Sequence, residues 1–152
     1  GMTVLGCRRR SVTMPNVDKM YTLDQLDEML GLCDFVVDLI PATPESHHLF
    51  NAERFAHMKS NAVFINIGRG ATVDTDALIA ALQNGTIYGA ALDALEEEPL
   101  PTESPLWDME NVIITPHCCA DSPYYFDRAF QVIKNNLEHF QKGEPVPTAV
   151  AY

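Results

Sequence analysis

The feature that most constrains the fold of this chain is the alternation of short apolar runs with segments of helical periodicity. Near-continuous apolar strands joined by helices are typical of a parallel sheet that is covered by helices on both faces. The predicted strands are Thr3–Cys7, Phe35–Ile40, Ala62–Ile67, Ile87–Leu92 and Val112–Thr115. The predicted helices are Thr22–Gly31, Ala52–Met58, Asp76–Asn84 and a long final helix. The pattern therefore predicts an α/β protein.

The boundaries of these helices carry recognisable signals. Thr22 and Gln25 are spaced as a capping box, Asn51 is an N-cap, and Gly31 and Gly85 stand where helices end. In the final helix, apolar residues recur every three or four positions and form one stripe, which we expect to pack against the sheet. The stripe consists of Phe126, Phe130, Ile133, Leu137 and Phe140.

The composition excludes several kinds of partner. A formal net charge of −11 over 152 residues argues against nucleic acid and against anionic membrane surfaces, although Arg8-Arg9-Arg10 is a local basic exception. No apolar run reaches the length of about 18 residues that a membrane span needs, and the N-terminus does not resemble a signal peptide. The four cysteines have no disulfide-framework spacing, so we expect a reducing, cytoplasmic location.

Three chemically capable side chains each follow a predicted strand. They are Arg69 in INIGRGATVD, Glu98 in GAALDALEEEPLP and His117 in VIITPHC. In open parallel sheets, ligands bind at the carboxyl ends of the strands, so we expect the three to share that edge. Taken singly, each has an ordinary explanation as a loop histidine, a solvated glutamate or a surface arginine. Only the joint pattern favours a site.

These residue types fit the handling of an anionic hydroxy or keto acid. Hydride transfer at a carbon that bears oxygen requires a proton to move at that oxygen, and histidine suits this because its pKa lies near neutrality. A carboxylate that hydrogen-bonds the ring fixes its tautomer, and an arginine can bind a substrate carboxylate through two bonds. We therefore predict that His117 is the acid/base, that Glu98 is its partner, and that Arg69 binds the substrate.

At this point the chain resembles the NAD(P)-dependent D-isomer-specific 2-hydroxyacid dehydrogenases, which include glyoxylate/hydroxypyruvate reductases. The resemblance rests on GMTVLGCRRR, LIPATPESHHLFNAERFAHMKSNAVFINIGRGATVD, ALIAALQNGTIYGAALDALEEEPLP, SPLW and NVIITPH, in that order. It implies a Rossmann-like fold, and it matches Arg69, Glu98 and His117 to the family's catalytic residues. It also implies that Asp93 holds the nicotinamide carboxamide.

The resemblance also indicates how the cofactor is bound. Members that prefer NAD commonly carry an acidic residue at the position of Arg8, whereas arginine accommodates the 2′-phosphate of NADP, so Arg8 and Arg9 favour NADPH over NADH. Residues expected beside the adenine or the nicotinamide are Ile40, Pro41, Thr43, Ile67 and Gly68. We interpret the glycines of Gly68-Arg69-Gly70 as allowing the backbone to approach the cofactor closely.

Two features depart from the family pattern or suggest other chemistry. Asp38 lies inside the apolar strand FVVDLI, where the family usually carries a neutral residue or histidine, so we expect a partner, partial exposure or a raised pKa. The triplet His117-Cys118-Cys119 could suggest a metal. Adjacent ligands rarely reach one tetrahedral ion together, however, and no C-x-x-C motif is present. We predict no metal site.

The chain also begins at what resembles the second strand of the fold. No G-x-G-x-x-G loop is present, and the family's substrate domain, first strand and first helix have no counterpart. We expect a partial dinucleotide-binding domain at residues 1–121 and a C-terminal helix and tail at 122–152. The strands Thr3–Cys7 and Ala62–Ile67 would then each have an unpaired edge. These edges could pair with each other, be completed by another polypeptide, or drive association as a homodimer.

The predicted function is hydride transfer between NAD(P)H and a small 2-oxo or 2-hydroxy acid. Because the glycine loop is absent, we predict that this chain alone is inactive. Two alternatives remain open at this stage. The chain could be a non-enzymatic nucleotide-binding or interaction module, like corepressors built on the same fold, or an inactive truncated remnant.

Overall fold

The computed structural model describes residues 1–10 and 12–149 and divides the chain into two compact units, Gly1–His117 and Cys118–Tyr152. The strands are β1 (Leu5–Cys7), β2 (Lys19–Tyr21), β3 (Phe35–Asp38), β4 (Val63–Asn66), β5 (Gly89–Leu92) and β6 (Val112–Ile114). The helices are α1 (Leu26–Leu30), α2 (Ala52–His57), α3 (Thr75–Gln83) and α4 (Tyr125–Lys142), with 3₁₀ turns at Leu23–Gln25, Gly70–Thr72 and Pro105–Asp108. Every strand pairing is parallel, which confirms the α/β class. Within the described ranges, no helix is long and apolar enough to cross a bilayer.

The helix boundaries follow from the caps. The Asn51 side chain accepts a hydrogen bond from Arg54 N at 3.1 Å, as expected for the N-cap of α2. The Asp74 side chain accepts one from Ala77 N at 3.0 Å, so α3 begins at Thr75, one residue before the predicted start. Shortly after α3, Gly85 has a φ of +66°, a conformation that glycine adopts without a steric penalty.

The strand order corrects one prediction. The sheets have the orders β1-β2 and β3-β4-β5-β6, so β4 is paired on both sides and Ala62–Ile67 has no open edge. The outer strands of the larger sheet are β3 and β6, and the open edge predicted for Ala62–Ile67 belongs to β3. The error arose because β2 was not predicted: Lys19-Met20-Tyr21 is only three residues long and has a single buried side chain, so it shows no apolar run. Direct pairing of β1 with β4 is likewise ruled out.

The two faces of the larger sheet differ in burial. One face carries Val36, Phe64 and Ala90, which form a single core cluster with buried residues of α1, α2 and α3. The ring of Phe64 contacts Phe50 and Phe55 at centroid distances of 4.8 and 5.4 Å. On the opposite face, Val37 and Ile113 are 49% and 66% exposed. Helices α1–α3 therefore cover one face of this sheet.

The second unit contains α4, which spans the stripe predicted from the sequence. The helix ends at Lys142, followed by Gly143 with a φ of +69°. The expected burial of the stripe is not observed, because its side chains are 54% to 81% exposed. The sequence pattern thus gave the helix and its apolar face correctly, but not what covers that face.

The difference between the two sheet faces can be measured with a pair of identical substitutions. Phe64→Ala removes a fully buried ring, and we expect a loss of about 3–5 kcal/mol in the free energy of unfolding. Phe35→Ala, on the adjacent strand, removes a ring that is 59% exposed, and we expect a loss below about 1 kcal/mol. Urea denaturation of both variants checks this. Equal losses would contradict the assignment of the core to the Phe64 face.

Candidate active site

Glu98 and His117 form a hydrogen-bonded pair after the ends of β5 and β6. His117 Nδ1 lies 2.9 and 3.1 Å from the two carboxylate oxygens of Glu98. One of these oxygens also accepts a hydrogen bond from Leu95 N at 2.8 Å. That backbone bond, followed by the bond to His117, lowers the pKa of the Glu98 carboxyl. The contact occupies Nδ1 of His117, so Nε2 is the ring nitrogen available to another group.

His117 adopts an unusual backbone conformation. Its φ of +52° lies in the left-handed region, which non-glycine residues adopt at a cost, and its amide donates to Thr115 O at 2.9 Å. The imidazole is partly exposed, with 45% of the side chain accessible. This conformation changes the direction of the chain sharply after β6 and leaves the His117 imidazole accessible.

Arg69 is joined to the Glu98 loop through its neighbour Gly70. A Cβ atom on Gly70 would lie 1.9 Å from the carbonyl group of Leu95, so the two backbones are in direct contact there. Leu95 in turn donates its amide to Glu98. The guanidinium of Arg69 is exposed and donates to Gly68 O at 2.7 Å. The prediction that the segments carrying Arg69, Glu98 and His117 meet at one sheet edge agrees with these contacts.

Asn66 joins the ends of β4 and β5. Its side chain is 1% exposed, its Oδ1 accepts from Gly68 N at 2.9 Å, and its Nδ2 donates to Arg69 O and Ala94 O, each at 3.3 Å. The segment after β4 and the segment after β5 are therefore held by one amide group. This residue was not predicted as part of the site, although an asparagine at the end of the apolar run AVFIN is a signal of such a role.

Asp93 lies next to this junction. Its side chain is 4% exposed and accepts a hydrogen bond from Thr115 Oγ1 at 2.6 Å, and its amide donates to Asn66 O at 2.9 Å. The carboxylate is therefore oriented by Thr115, the residue that directly follows β6. Thr115 was predicted only as a strand residue.

The glycines of the Arg69 segment approach protein backbone. A Cβ atom on Gly68 would lie 3.0 Å from both the N and the O of Ile40, just as Gly70 meets Leu95. Gly68 thus brings the segments after β3 and β4 together. The close approach seen here is to the protein's own backbone, and the predicted approach of these glycines to a cofactor stays a prediction. Ile67, beside Gly68, is 36% exposed.

The loop after β3 is organised by Ser46, a buried residue that the sequence did not single out. Ser46 Oγ donates to Pro41 O at 2.8 Å and accepts from Thr43 N at 2.8 Å. In the same loop, a hydrogen bond with Thr43 lowers the pKa of Glu45, and nearby Arg9 contributes a smaller lowering. Ser46 therefore holds Pro41 and Thr43, two of the predicted cofactor residues, within one hydrogen-bonded turn.

The basic run after β1 is exposed. Arg8, Arg9 and Arg10 are all accessible, and Arg8 Nη1 donates to the neutral Sδ of Met14 at 3.3 Å. This contact does not neutralise the charge of Arg8. The exposed guanidinium groups therefore suit an anionic ligand such as a phosphate.

A second polar network lies close by. His48 Nε2 is 2.5 Å from Glu96 Oε1, and Glu96 Oε2 accepts from Thr75 Oγ1 and Thr75 N at 2.8 and 3.2 Å. His47, His48 and Glu96 place three ligand atoms within 4.8 Å of one another, which could suggest a metal site. Two ligands of one tetrahedral zinc ion, however, lie about 3.3 Å apart, given bonds of about 2.0–2.1 Å. The His48–Glu96 contact is shorter and is a hydrogen bond that ties the Glu96 loop to the start of α3.

Comparison with known proteins agrees with this architecture. Residues 1–119 match the family described as D-isomer specific 2-hydroxyacid dehydrogenase, NAD binding domain. Glyoxylate/hydroxypyruvate reductase B of Salmonella newport is 58% identical over 92 residues, which represent 60% of this chain and 28% of that protein.

Solved structures match over almost the entire chain. A D-isomer specific 2-hydroxyacid dehydrogenase from Xanthobacter autotrophicus Py2, in complex with NADPH and MES, has a TM-score of 0.91 and 41% identity over 99% of this chain and 62% of that one. An NADPH-dependent glyoxylate/hydroxypyruvate reductase from Sinorhizobium meliloti, in complex with NADP and sulfate, has a TM-score of 0.89 and 37% identity over 99% of this chain and 48% of that one. The chain thus spans from 28% to 62% of the length of these three proteins. It belongs to the D-isomer specific 2-hydroxyacid dehydrogenase family, and its residues 1–119 correspond to the family's NAD-binding domain.

Proposed function

We propose that this chain contributes the cofactor-binding part of an NADPH-preferring oxidoreductase that acts on a small 2-oxo or 2-hydroxy acid. Glyoxylate and hydroxypyruvate are the candidate substrates, since relatives are named for them. The observation that carries the proposal is the hydrogen-bonded Glu98–His117 pair at the end of the parallel sheet. Because the chain spans only part of its relatives, turnover belongs to the complete protein, and the chain alone is proposed to be inactive.

His117 moves the proton in this proposal. With Nδ1 held by Glu98, Nε2 of the protonated ring donates to the oxygen of the substrate carbonyl as it becomes a hydroxyl, and accepts the proton in the reverse direction. Glu98 accepts the hydrogen bond of Nδ1 and keeps the ring in one orientation. When bound, a nicotinamide dinucleotide would supply or accept the hydride.

Arg69 binds the carboxylate of the substrate. Its guanidinium is exposed, and its backbone is fixed by Asn66 and by the contact of Gly70 with Leu95. A planar guanidinium can donate two parallel bonds to a carboxylate, which orients the 2-oxo carbon toward the proton donor. The exposed side chain and fixed backbone together support this role.

The residues expected to hold NADP agree with the chemistry of that molecule. Arg8 and Arg9 are exposed cations for the 2′-phosphate, and the loop of Ile40, Pro41 and Thr43 would border the adenine. The buried carboxylate of Asp93 would accept from the carboxamide of the nicotinamide, next to Ile67 and Gly68. Each of these roles is a proposal drawn from the family resemblance.

We also propose that the β3 edge is covered in the complete assembly. Phe35 and Val37 of this outer strand, and Leu39 directly after it, are 49% to 68% exposed, so the strand has an open edge and its uncovered face is apolar. Another polypeptide segment or a second copy in a homodimer would bury them. Cys7 and Cys33 are partly buried thiols, and burial raises the pKa of each. The cytoplasmic location proposed for the protein rests on the spacing of its four cysteines.

The cofactor preference can be tested by calorimetric titration of this chain with NADPH and then NADH. We expect tighter binding of NADPH, and we expect Arg8→Ala to weaken NADPH binding by about 10- to 100-fold without affecting NADH, because a hydrogen bond to a charged group is worth about 1.5–3 kcal/mol. Arg128→Ala, an exposed arginine of the second unit, is the control.

Either of two results would count against this proposal. Equal binding of the two dinucleotides would remove the role of Arg8. A folded chain that binds neither would favour the alternative of an inactive remnant, and binding by the complete protein would then depend on its other segments.

The Glu98–His117 pair should leave a signature in the pH dependence of stability. Because the pKa of Glu98 is lowered on folding, its carboxylate stabilises the fold above the ordinary glutamate range of about pH 4.3, and this contribution is lost as the pH falls through the folded-state pKa. We expect Glu98→Gln to be less stable than the parent chain at about pH 6 by less than about 1 kcal/mol, since the pair is partly exposed.

Urea denaturation between about pH 3 and 7 measures this difference, with Glu97→Gln as the matched control. The difference for Glu98→Gln should disappear at the acid end, where the parent carboxyl is itself protonated. A difference that is independent of pH would show that the ion pair contributes nothing through its charge.

A further inference from the structure

The hydrogen bonds around Thr72 raise a question of proton count. Thr72 Oγ1 lies 2.5 Å from Asp38 Oδ2 and 2.6 Å from the carbonyl oxygen of Arg69. A hydroxyl group has a single hydrogen to donate, and a carbonyl oxygen can only accept. If Asp38 were an ionised carboxylate, both neighbours of the hydroxyl would be acceptors. One of the two short contacts would then hold no hydrogen and would be repulsive.

The count balances when Asp38 carries a proton. Oδ2–H of Asp38 then donates to Thr72 Oγ1, and the Thr72 hydroxyl donates to Arg69 O. The other oxygen, Oδ1, is already an acceptor, because Ile40 N donates to it at 2.9 Å. The proton therefore belongs on Oδ2, where the short contact lies.

We propose that Asp38 is held as an uncharged carboxylic acid whose proton, relayed through the Thr72 hydroxyl, positions the backbone of Arg69. Asp38 is a positioning residue in this proposal, and its consequence for substrate binding rests on the role proposed for Arg69.

The surroundings of Asp38 agree with a neutral side chain. The residue is 1% exposed, and the residue paired with it on β4 is the neutral Asn66. Burial raises the pKa of the Asp38 carboxyl, and the hydrogen bonds of Thr72 and Ile40 only partly oppose this. The charged side chains nearby in the fold are Arg69, which is exposed and bonded to Gly68 O, and Asp93, which is bonded to Thr115. Neither contributes to the shift.

The backbone carbonyl of Arg69 is the endpoint of this chain of bonds. It also accepts from Thr72 N at 3.1 Å and from Asn66 Nδ2 at 3.3 Å, so the hydroxyl bond at 2.6 Å is the shortest of the three. Ionisation of Asp38 would turn the Thr72 hydroxyl toward the carboxylate. Arg69 O would then lose its shortest bond, and the segment that carries the guanidinium would be less firmly held.

The proton can be observed directly by carbon-detected NMR of the labelled chain. The Cγ resonance of Asp38 should remain that of the acid form at pH values above the ordinary aspartate value of about 3.9, with the exposed Asp108 as the reference resonance. If Asp38 Cγ titrates together with Asp108, the proposal is overturned. That result would leave the proposed role of Arg69 untouched, so the two proposals fail separately.

Stability provides a second test with a defined sign. The pKa of Asp38 is raised on folding, so between about pH 4 and its folded-state pKa the native chain holds a proton that the unfolded chain lacks, and stability falls as the pH rises. Asp38→Asn keeps a donor and an acceptor but cannot ionise. We expect this variant to equal or exceed the parent chain in stability at about pH 8. We also expect it to lack the fall in stability with rising pH that ionisation of Asp38 causes in the parent chain.

Urea denaturation between about pH 4 and 9 measures this, with Asp108→Asn as the control that should retain the parent profile. An Asp38→Asn variant that fails to fold, or that is less stable than the parent chain at about pH 8, would overturn the proposal. Either result would mean that the carboxylate itself is required.

The positioning of Arg69 is tested by hydrogen exchange at the amide of residue 72, which donates to Arg69 O. We expect Asp38→Ala and Thr72→Val to reduce the protection of this amide by about tenfold or more. Asp38→Asn and Thr72→Ser retain the relay and should change it by less than about twofold. Equal loss in all four variants would indicate general loosening of the core and would overturn the specific role.

Discussion

The buried amide of Asn66 is the interaction on which the arrangement of the candidate site depends. It bonds Gly68 N, Arg69 O and Ala94 O, so the segments that follow β4 and β5 share one set of hydrogen bonds. The backbones of these segments meet again where Gly70 packs against Leu95. Leu95 then holds Glu98, and Glu98 holds His117. The position of each candidate catalytic side chain is therefore tied to a backbone contact that begins at this amide.

Much of this arrangement could be predicted from the sequence, because it follows from periodicity and from the topology of parallel sheets. The longer strands, α2, α3 and the stripe of α4 are visible as patterns, and residues after parallel strands must meet at one edge. The prediction for Asp38 was also correct in kind: it has partners and a raised pKa. Local patterns and general topology were sufficient for these features.

Other features could not be predicted. Some depend on contacts between residues that are distant in the sequence, and others lie in segments that are too short to show a pattern. β2 has three residues and a single buried side chain, and without it the count of strands assigned the open edge to β4 instead of β3. Ser46, Thr72 and Thr115 look like ordinary polar loop residues until the carbonyls and carboxylates that they bond are known. The exposure of the α4 stripe is likewise outside what helical periodicity can reveal.

The two glycines beside Arg69 have a consequence for binding affinity. Glycine loses more conformational freedom on folding than any other residue, and here that loss occurs when Gly68 and Gly70 pack against Ile40 and Leu95. The entropy lost in ordering these glycines is then part of the folding free energy, and it is not lost a second time when a ligand binds. A segment arranged in this way offers its guanidinium in a preorganised backbone frame, so less of any ligand's interaction energy is consumed in fixing the loop.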